Sequence, residues 1–449
     1  MPSNQLPTRF GLIAITLSVV LVTVMLGTVG LQATAQSGAT PTPTPSSGAG
    51  NASLTPDTAN PYDEPAESTG DAEWTVTDLT FQSNYPNGFE FSAKPTSSKG
   101  PVVSASVQWS HNPDADRARA IGEVDATSGL ATAVWDATSN RVPPWVAVNY
   151  RWSFTDSVGN SYQTEWILGA EYSDDTRNWI RAESDDIIVF VEDGLSKDII
   201  EMTFDAMKER RADYIALFGR QLSYKPRAIL FFDYDTFLEW RGVTVNTNNT
   251  ILAGQTTDYW GATVQAFLFG DLEELAYGTV THEVAHLYQA DLYDLRAPGW
   301  WIEGNATYFE ITQGYDYEQR VRDLATFYDI PPLLQGLGPV PNDLGPDERG
   351  RLGYDLGYTF NKWLIDNYGP EAHLQIVQLL EEGVYRNDSD EFNLILEQVT
   401  GLPVAEIERQ WRTWLGASPE APTLIPSPTI YMRFPPTVTP FQFGTPSAQ

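Results

Sequence analysis

The chain has 449 residues, of which 42% are hydrophobic and 12% aromatic, so it contains enough apolar material for two or three folded domains. Its formal net charge of −32 at pH 7 argues against nucleic acid or an anionic membrane surface as a partner, because like charges repel. It contains no cysteine, so disulfide bonds cannot contribute to its stability. The composition therefore predicts a folded, highly soluble protein with an acidic surface.

The first 35 residues have the pattern of an export signal. Arg9 precedes an uncharged run, residues 10–31, that is rich in leucine, valine and isoleucine. Residues 33–35 are Ala-Thr-Ala, which supplies small side chains where a signal peptidase reads them. The apolar run is also long enough to remain as a membrane anchor. Residues 1–35 are therefore predicted to be a signal peptide or an N-terminal anchor, and both place the rest of the chain in the extracellular space or the cell envelope.

Two segments have compositions that do not favour folding. Residues 36–72 are rich in Thr, Pro, Ser, Gly and Ala, and are predicted to form a linker with polyproline character. Residues 417–449 again combine Pro with Thr and are predicted to be a disordered tail. Between these segments lie two regions with different patterns, residues 73–172 and residues 173–416.

Residues 73–172 are predicted to form an all-β domain. Short stretches with alternating apolar residues are separated by turn residues such as Asn87-Gly88. Six or seven short strands in about 100 residues are typical of an immunoglobulin-like β-sandwich. Four tryptophans could line a carbohydrate-binding face, although aromatic residues at alternating strand positions more often belong to the core: Trp109, Trp135, Trp145 and Trp152.

Residues 173–416 have an α/β pattern. A buried-type strand at residues 187–191 is followed by a long helix at residues 196–218 and by a second strand. A further strand at residues 261–269 precedes a helix for which Asp271 is a good N-cap. The remaining chain has apolar residues at helical spacing, which predicts a helical C-terminal subdomain.

The helix that follows Asp271 contains the sequence His282-Glu-Val-Ala-His286. On a helix these two histidines lie one turn apart on the same face, where two neutral imidazoles can bind a single metal ion. Glu283 can then face a water molecule bound to that ion. This is the HExxH pattern of zinc sites, and it uses two of the four histidines in the chain. The sequence therefore predicts one Zn²⁺ ion bound by His282 and His286.

Glu303 is the predicted third ligand. A catalytic zinc site needs three protein ligands and an open position, and two histidines with one glutamate form such a set. Glu303 lies 17 residues after His286 and is flanked by Trp301 and Ile302, so its carboxylate is expected to face the interior. In such a site Glu283 would accept the proton of the water and pass it to the leaving amine. The predicted reaction is therefore hydrolysis of an amide, and of a peptide bond in particular.

These motifs, read together with Trp300-Trp-Ile-Glu-Gly304 and Tyr354-Asp-Leu-Gly-Tyr358, resemble the gluzincin metallopeptidases, and in particular the peptidase MA-like exported proteins of bacteria. The resemblance implies a multidomain protein in which the β-sandwich precedes an α+β, thermolysin-like catalytic domain. It also implies that Glu303 is a zinc ligand and that a tyrosine donates a hydrogen bond to the oxyanion of the reaction. That tyrosine is Tyr354, or Tyr358 one turn later.

The resemblance extends over about residues 179–415, with three departures from the family pattern. The Gly-x-Met-Glu-Asn motif with which zinc aminopeptidases hold a free amine is absent before His282, so the resemblance does not support exopeptidase activity. Thr307 stands where thermolysin-like enzymes have an aspartate that orients a zinc histidine. The spacing between His286 and Glu303 is shorter than in the aminopeptidases.

The leading functional hypothesis is an exported zinc peptidase that acts on a peptide or protein substrate. We expect the strand at residues 262–269, just before the zinc helix, to be the sheet edge with which an extended substrate pairs. The alternative is a non-catalytic surface binding protein whose peptidase-like domain is degenerate or holds structural zinc. The intact set of His282, Glu283, His286 and Glu303 favours the peptidase.

Overall fold

A computed structural model describes residues 61–422 apart from six short gaps, which are residues 114, 140, 242–253, 269, 349–350 and 384–388. The predicted signal peptide or anchor lies outside the described residues, as do residues 36–60 of the predicted linker and the end of the predicted tail. Among the helices in the described part of the chain, none is long and apolar enough to cross a bilayer.

The first part of the described chain forms an antiparallel sheet. Within the described residues its nine strands are β1 (Glu67–Thr69), β2 (Trp74–Ser83), β3 (Gly88–Ser97), β4 (Val102–Ser110), β5 (Ala118–Val124), β6 (Ala131–Asp136), β7 (Ala147–Asp156), β8 (Ser161–Gln163) and β9 (Ile167–Glu171). The order is β1-β8-β7-β4-β5-β6-β3-β2, and β9 pairs with β7. β5 joins the two halves because residues 118–122 pair with β4, whereas residues 123–124 pair with β6. The assignment of this β-domain to the immunoglobulin-like class stays a prediction.

The β-domain begins before the predicted boundary at residue 73. The ring of Tyr62 is buried 4.9 Å from that of Trp166, and its hydroxyl oxygen lies 2.8 Å from Oγ of Ser110. β1 pairs with β8 along its whole length. Residues 61–72 therefore belong to the domain and not to the linker, because a few anchoring side chains outweigh the unfavourable composition of this segment.

A second sheet forms the centre of the α/β region, and its five strands in the described residues are β10 (Trp179–Glu183), β11 (Ile188–Glu192), β12 (Arg227–Phe231), β13 (Gly254–Thr257) and β14 (Ala262–Ala266). The order is β10-β11-β12-β14-β13. β11, β12 and β14 are parallel, whereas β10 and β13 run antiparallel at the two edges. The expectation that the strand before the helix of His282 and His286 forms the sheet edge is wrong, because β13 pairs with β14 on its outer side.

Helices lie between and after the strands of this second sheet. In the described residues they are α1 (Asp198–Phe218), α2 (Tyr234–Arg241), α3 (Thr281–Tyr293), α4 (Gly299–Tyr308), α5 (Tyr317–Phe327), α6 (Leu352–Tyr368), α7 (Pro370–Glu381), α8 (Ser389–Thr400) and α9 (Val404–Leu415). A π-helical segment, Glu274–Val280, runs directly into α3. Asp271 caps the start of this segment as predicted, since its Oδ1 accepts hydrogen bonds from the backbone N–H groups of Glu273 and Glu274.

The second sheet is buried on both faces. On β11, Val189 and Val191 face the helices, whereas Ile188 and Phe190 face the β-domain, because successive side chains of a strand alternate. Trp145 of the β-domain stacks on Phe190 with the ring centroids 5.0 Å apart. The β-domain and the sheet of the α/β region therefore share one apolar core.

The four tryptophans of the β-domain lie in or against this core. Trp109 and Trp152 are fully buried, and Trp135 and Trp145 are partly buried and pack against the same cluster. The structure therefore supports the core role of these residues over a carbohydrate-binding face.

Candidate metal centre

Helices α3 and α4 bring the three predicted ligands together. The Nε2 atoms of His282 and His286 are 3.2 Å apart, and Oε2 of Glu303 lies 3.4 Å from each of them. Bonds of about 2.0–2.1 Å at a tetrahedral angle would place two zinc ligands about 3.3 Å apart. All three side chains are buried, and they form a group that could hold a metal ion. The triangle therefore has the dimensions that a tetrahedral zinc ion requires.

The hydrogen-bond partners of the outer ring nitrogens, the Nδ1 atoms, determine the tautomers of the two imidazoles. Nδ1 of His282 lies 2.9 Å from carboxylate oxygen Oε1 of Glu310, and Nδ1 of His286 lies 2.8 Å from Oε1 of Gln289. The amide nitrogen of Gln289 donates to two oxygen acceptors, so its own oxygen faces His286. Both Nδ1 atoms therefore carry the ring proton and donate hydrogen bonds, which leaves both Nε2 atoms able to offer lone pairs to a metal ion.

The centre of the triangle attracts positive charge. Oε2 of Glu303 is buried without a hydrogen-bond partner, because 3.4 Å is too long for a strong hydrogen bond to either imidazole. Burial opposes ionisation of Glu303, but the neighbouring histidines outweigh it and lower the pKa of Glu303 to about 2. Burial likewise opposes the charged form of His282, yet Glu303 and Glu310 raise the pKa of His282 to about 9. An anionic, partnerless oxygen beside two imidazoles fits a bound divalent cation.

Glu310 orients His282, and no spacing rule for zinc sites would have identified it. Its carboxylate accepts hydrogen bonds from the hydroxyl of Tyr317 and, at 3.2 Å, from Nη2 of Arg351. Burial opposes its ionisation, but the charge of Arg351 prevails and lowers the pKa of Glu310. Thr307, at the position where thermolysin-like enzymes have an aspartate, lies 3.4 Å from Nη2 of Arg351. The orienting carboxylate is therefore three residues further along the chain.

Hydrogen bonds from the π-helical segment before α3 fix the position of the backbone next to Glu310. The carbonyl oxygen of Tyr277 in this segment accepts hydrogen bonds from the backbone N–H groups of Ile311, at 2.7 Å, and Thr312, at 3.3 Å. A Cβ atom on Gly278 would come within 3.0 Å of the Thr312 carbonyl oxygen. The residues that follow Glu310 are thereby fixed to the helical segment that leads into His282.

The carboxylate of Glu283 lies between α3 and the edge strand β13. The hydroxyl of Thr256 is 2.5 Å from Oε2 of Glu283, whereas Oε1 is buried without a partner. A Cβ atom on Gly254 would lie only 2.6 Å from Oε1, so the glycine provides the space in which this oxygen sits. Burial raises the pKa of Glu283 and outweighs the opposing effect of the two histidines. A carboxylate with a raised pKa and one unpartnered oxygen is suited to accept a proton.

A pair of glycines lets α6 approach the helix that carries Glu303. A Cβ atom on Gly357 would lie 2.0 Å from the carbonyl oxygen of Trp300, and one on Gly304 would lie 2.2 Å from the carbonyl carbon of Gly357. Only glycine fits at both positions. This contact brings Tyr354 into the centre along with Glu303.

Tyr354 lies closer to the ligands than Tyr358. The buried ring of Tyr354 stacks on His282 with the centroids 5.9 Å apart and the planes 23° from parallel. The guanidinium of Arg351 lies over the same Tyr354 ring, 4.6 Å from its centroid. The ring of Tyr358 instead contacts Tyr317, at 5.7 Å between centroids. The geometry therefore favours Tyr354 as the tyrosine associated with the centre.

The comparisons with known proteins leave the family open. No family model matches the chain, and no curated protein matches it. Among solved structures, a polysaccharide deacetylase from Bacillus cereus is matched at 7% sequence identity, over 49% of this chain and 78% of the other, with a TM-score of 0.17. A TM-score this low supports no argument about fold or activity.

Proposed function

We propose that the protein is an exported, zinc-dependent peptidase of gluzincin type that acts in the extracellular space or the cell envelope. The observation that carries the proposal is the triangle of His282, His286 and Glu303, with the unpartnered oxygen of Glu283, the residue that follows His282 on the same helix. Export rests on the sequence of residues 1–35. The proposal takes zinc as the ion because two imidazoles and a carboxylate at tetrahedral spacing are a common zinc set.

In this proposal each residue has one task. His282, His286 and Glu303 would hold the zinc ion, which when bound supplies Lewis acidity and a water molecule of lowered pKa. Glu283 would accept a proton through Oε1 and deliver it to the leaving amine. Tyr354 would donate a hydrogen bond to the developing oxyanion. β13 presents the edge of the second sheet with which an extended peptide could pair.

Metal analysis combined with Glu283→Gln tests the proposal. We expect about one zinc ion per chain in both the wild type and the variant, because Glu283 is not a ligand. Digestion of a peptide library should be abolished by a chelator and reduced by at least about 100-fold in Glu283→Gln, the usual contribution of a general base. Glu273→Gln makes the same chemical change at an exposed glutamate ten residues earlier in the chain; it is the matched control and should retain full activity.

Two results would decide against the peptidase. A purified wild type without zinc would remove the basis of the whole proposal. Zinc binding without cleavage of any peptide would instead support the alternative, a surface protein in which zinc has a structural role.

A further inference from the structure

A chain of hydrogen bonds leads from one predicted metal ligand into the protein interior. Nδ1 of His286 lies 2.8 Å from Oε1 of Gln289, whose Nε2 donates to Oδ1 of Asn305 at 2.9 Å. Nδ2 of Asn305 lies 2.8 Å from Nε2 of His373, and Nδ1 of His373 lies 3.1 Å from the carbonyl oxygen of Leu217. All four side chains are buried, so bulk water does not reach them.

The direction of each bond follows from the acceptor at the far end. A backbone carbonyl can only accept, so the oxygen of Leu217 requires a proton on Nδ1 of His373. Burial lowers the pKa of His373 to about 4, which keeps this ring neutral and leaves its Nε2 as an acceptor. Asn305 must then turn its NH₂ group to His373 and its oxygen to Gln289. Gln289 in turn must direct its NH₂ group to Asn305 and its oxygen to His286.

A second carbonyl fixes the same arrangement independently. Nε2 of Gln289 also donates to the carbonyl oxygen of Ile302, at 2.9 Å, in the residue that precedes Glu303. Turning the amide of Gln289 over would place its oxygen against two acceptors, the Ile302 carbonyl and Oδ1 of Asn305. A single arrangement therefore satisfies every group, and in it His286 carries its proton on Nδ1 and keeps its Nε2 lone pair free.

The ring of His373 is held in the plane that this arrangement needs. It stacks on Trp301 of α4 with centroids 5.2 Å apart and planes 18° from parallel, and it meets the ring of Phe218 edge-on at 6.1 Å. His373 lies on α7 and Phe218 ends α1, so the chain of hydrogen bonds connects the metal helix with three other helices.

We propose that His373 is a positioning residue of the metal centre, acting through Asn305 and Gln289 to hold His286 in its metal-binding tautomer. The inference rests on the metal-binding part of the proposed function. It assigns a role in metal affinity to a histidine that is three hydrogen bonds away from the nearest ligand.

Gln289→Glu is the sharpest test, because glutamate has the same shape and keeps an acceptor for His286. Its second oxygen, however, would face the Ile302 carbonyl and Oδ1 of Asn305, which are both acceptors. If only the contact with His286 mattered, this variant would bind zinc at least as tightly as the wild type. The directional chain predicts instead a zinc affinity that is about tenfold or more lower, as for other outer partners of zinc ligands.

His373→Leu tests the remote end of the chain. It removes the acceptor of Asn305, and we expect about tenfold weaker zinc binding together with a changed visible spectrum of the cobalt(II)-substituted protein. His373→Gln, which can still offer an oxygen to Asn305, should recover part of the affinity. Ile376→Val, a buried change on the same helix outside the chain of hydrogen bonds, is the control and should leave zinc affinity unchanged.

The affinities are measured on the full chain by competition with a chromophoric chelator. Wild-type protein that binds no zinc would refute the proposed function itself. Wild-type zinc binding with unchanged affinity in both Gln289→Glu and His373→Leu would refute the positioning role alone. If His373→Leu does not fold, the smaller change His373→Gln decides, and a zinc affinity in that variant equal to that of the wild type would then refute the positioning role of His373.

Discussion

At the metal centre, the residues that would not touch the metal determine how the ligands behave. Glu310 and Gln289 each accept a hydrogen bond from the outer nitrogen of one imidazole, and Arg351 balances the charge of Glu310. Such outer partners fix the orientation of a histidine and increase its basicity. The affinity of the centre is therefore expected to depend on them nearly as much as on the ligands.

Removing the carboxylate of Glu310 should weaken the centre. We expect Glu310→Leu to lower zinc affinity by about 10- to 100-fold, because His282 loses its orienting acceptor and Arg351 its counter-charge. Glu310→Gln, which keeps an oxygen acceptor, should lie between this variant and the wild type. Glu382→Leu changes an exposed glutamate on the surface and serves as the control. Equal zinc affinity in all three variants would contradict an orienting role for Glu310.

Zinc binding should release a proton from His282. In the metal-free protein the pKa of His282 is raised to about 9, so the ring is protonated at pH 7 and neutral only above about pH 9. Zinc must displace this proton, and its apparent affinity should therefore rise by about tenfold per pH unit between pH 6 and 8. Calorimetry in buffers of different ionisation enthalpy measures the proton directly. Binding heats that do not vary with the buffer would contradict the prediction.

The sequence led to the ligands but not to their partners. Glu303 could be predicted because a carboxylate among Trp301, Ile302 and other apolar residues of a helix has few roles other than an interior one. Glu310, Gln289 and His373 follow no fixed spacing from the ligands. Their roles arise from contacts between separate helices, which a linear pattern does not contain.

At the level of the elements, polar strands were the hardest to predict. β13 has the sequence Gly-Gln-Thr-Thr, with no large apolar side chain, and β5 contributes no fully buried residue. Strand prediction depends on alternating large apolar residues, which both strands lack, so the sequence indicates β14 in place of β13 as the edge. The long helix α1 has clear apolar spacing, and it starts only two residues after the start of the predicted range, residues 196–218.

The edge strand also holds the proposed general base. Thr256→Val should lower kcat by about tenfold or more, since it removes a hydrogen bond to a buried carboxylate, while zinc affinity stays unchanged. Thr256→Ser keeps the hydroxyl group and should retain most of the activity. Steady-state kinetics together with chelator competition separate the two effects. Equal kcat in the valine and serine variants would show that this hydroxyl does not position Glu283.

For the molecule as a whole, the β-domain and α2 together cover one face of the second sheet. Phe190, Ile229 and Val264 of this sheet belong to the same apolar cluster as the interior of the β-domain. The chain therefore changes its architecture at the predicted boundary near residue 172, but the apolar core continues across this boundary. Without the β-domain, the sheet that supports the metal centre would expose part of this face to water.

Trp145→Ala tests this shared core. Loss of its stacking on Phe190 should lower the free energy of unfolding by about 2 kcal/mol, less than for a fully buried tryptophan because Trp145 is only partly buried. Urea unfolding followed by far-UV circular dichroism should still show a single transition, at lower urea. Val158→Ala, at an exposed position of the same domain, is the control. Two separate transitions in the wild type would contradict a shared core.

The π-helical segment Glu274–Val280 also bears on how the chain tolerates a change of length. Each residue of an α-helix adds about 100° of rotation and 1.5 Å of rise, and the wider π-turns accommodate more residues per turn than an α-helix does. Deleting one residue here and returning the segment to α-helical winding would leave the direction of His282 relative to β14 nearly unchanged, because the π-turns already accommodate an additional residue. A deletion between His282 and His286 in α3 would instead turn the second predicted ligand by about 100° away from the first, so the two stretches should differ in how well they tolerate a change of length.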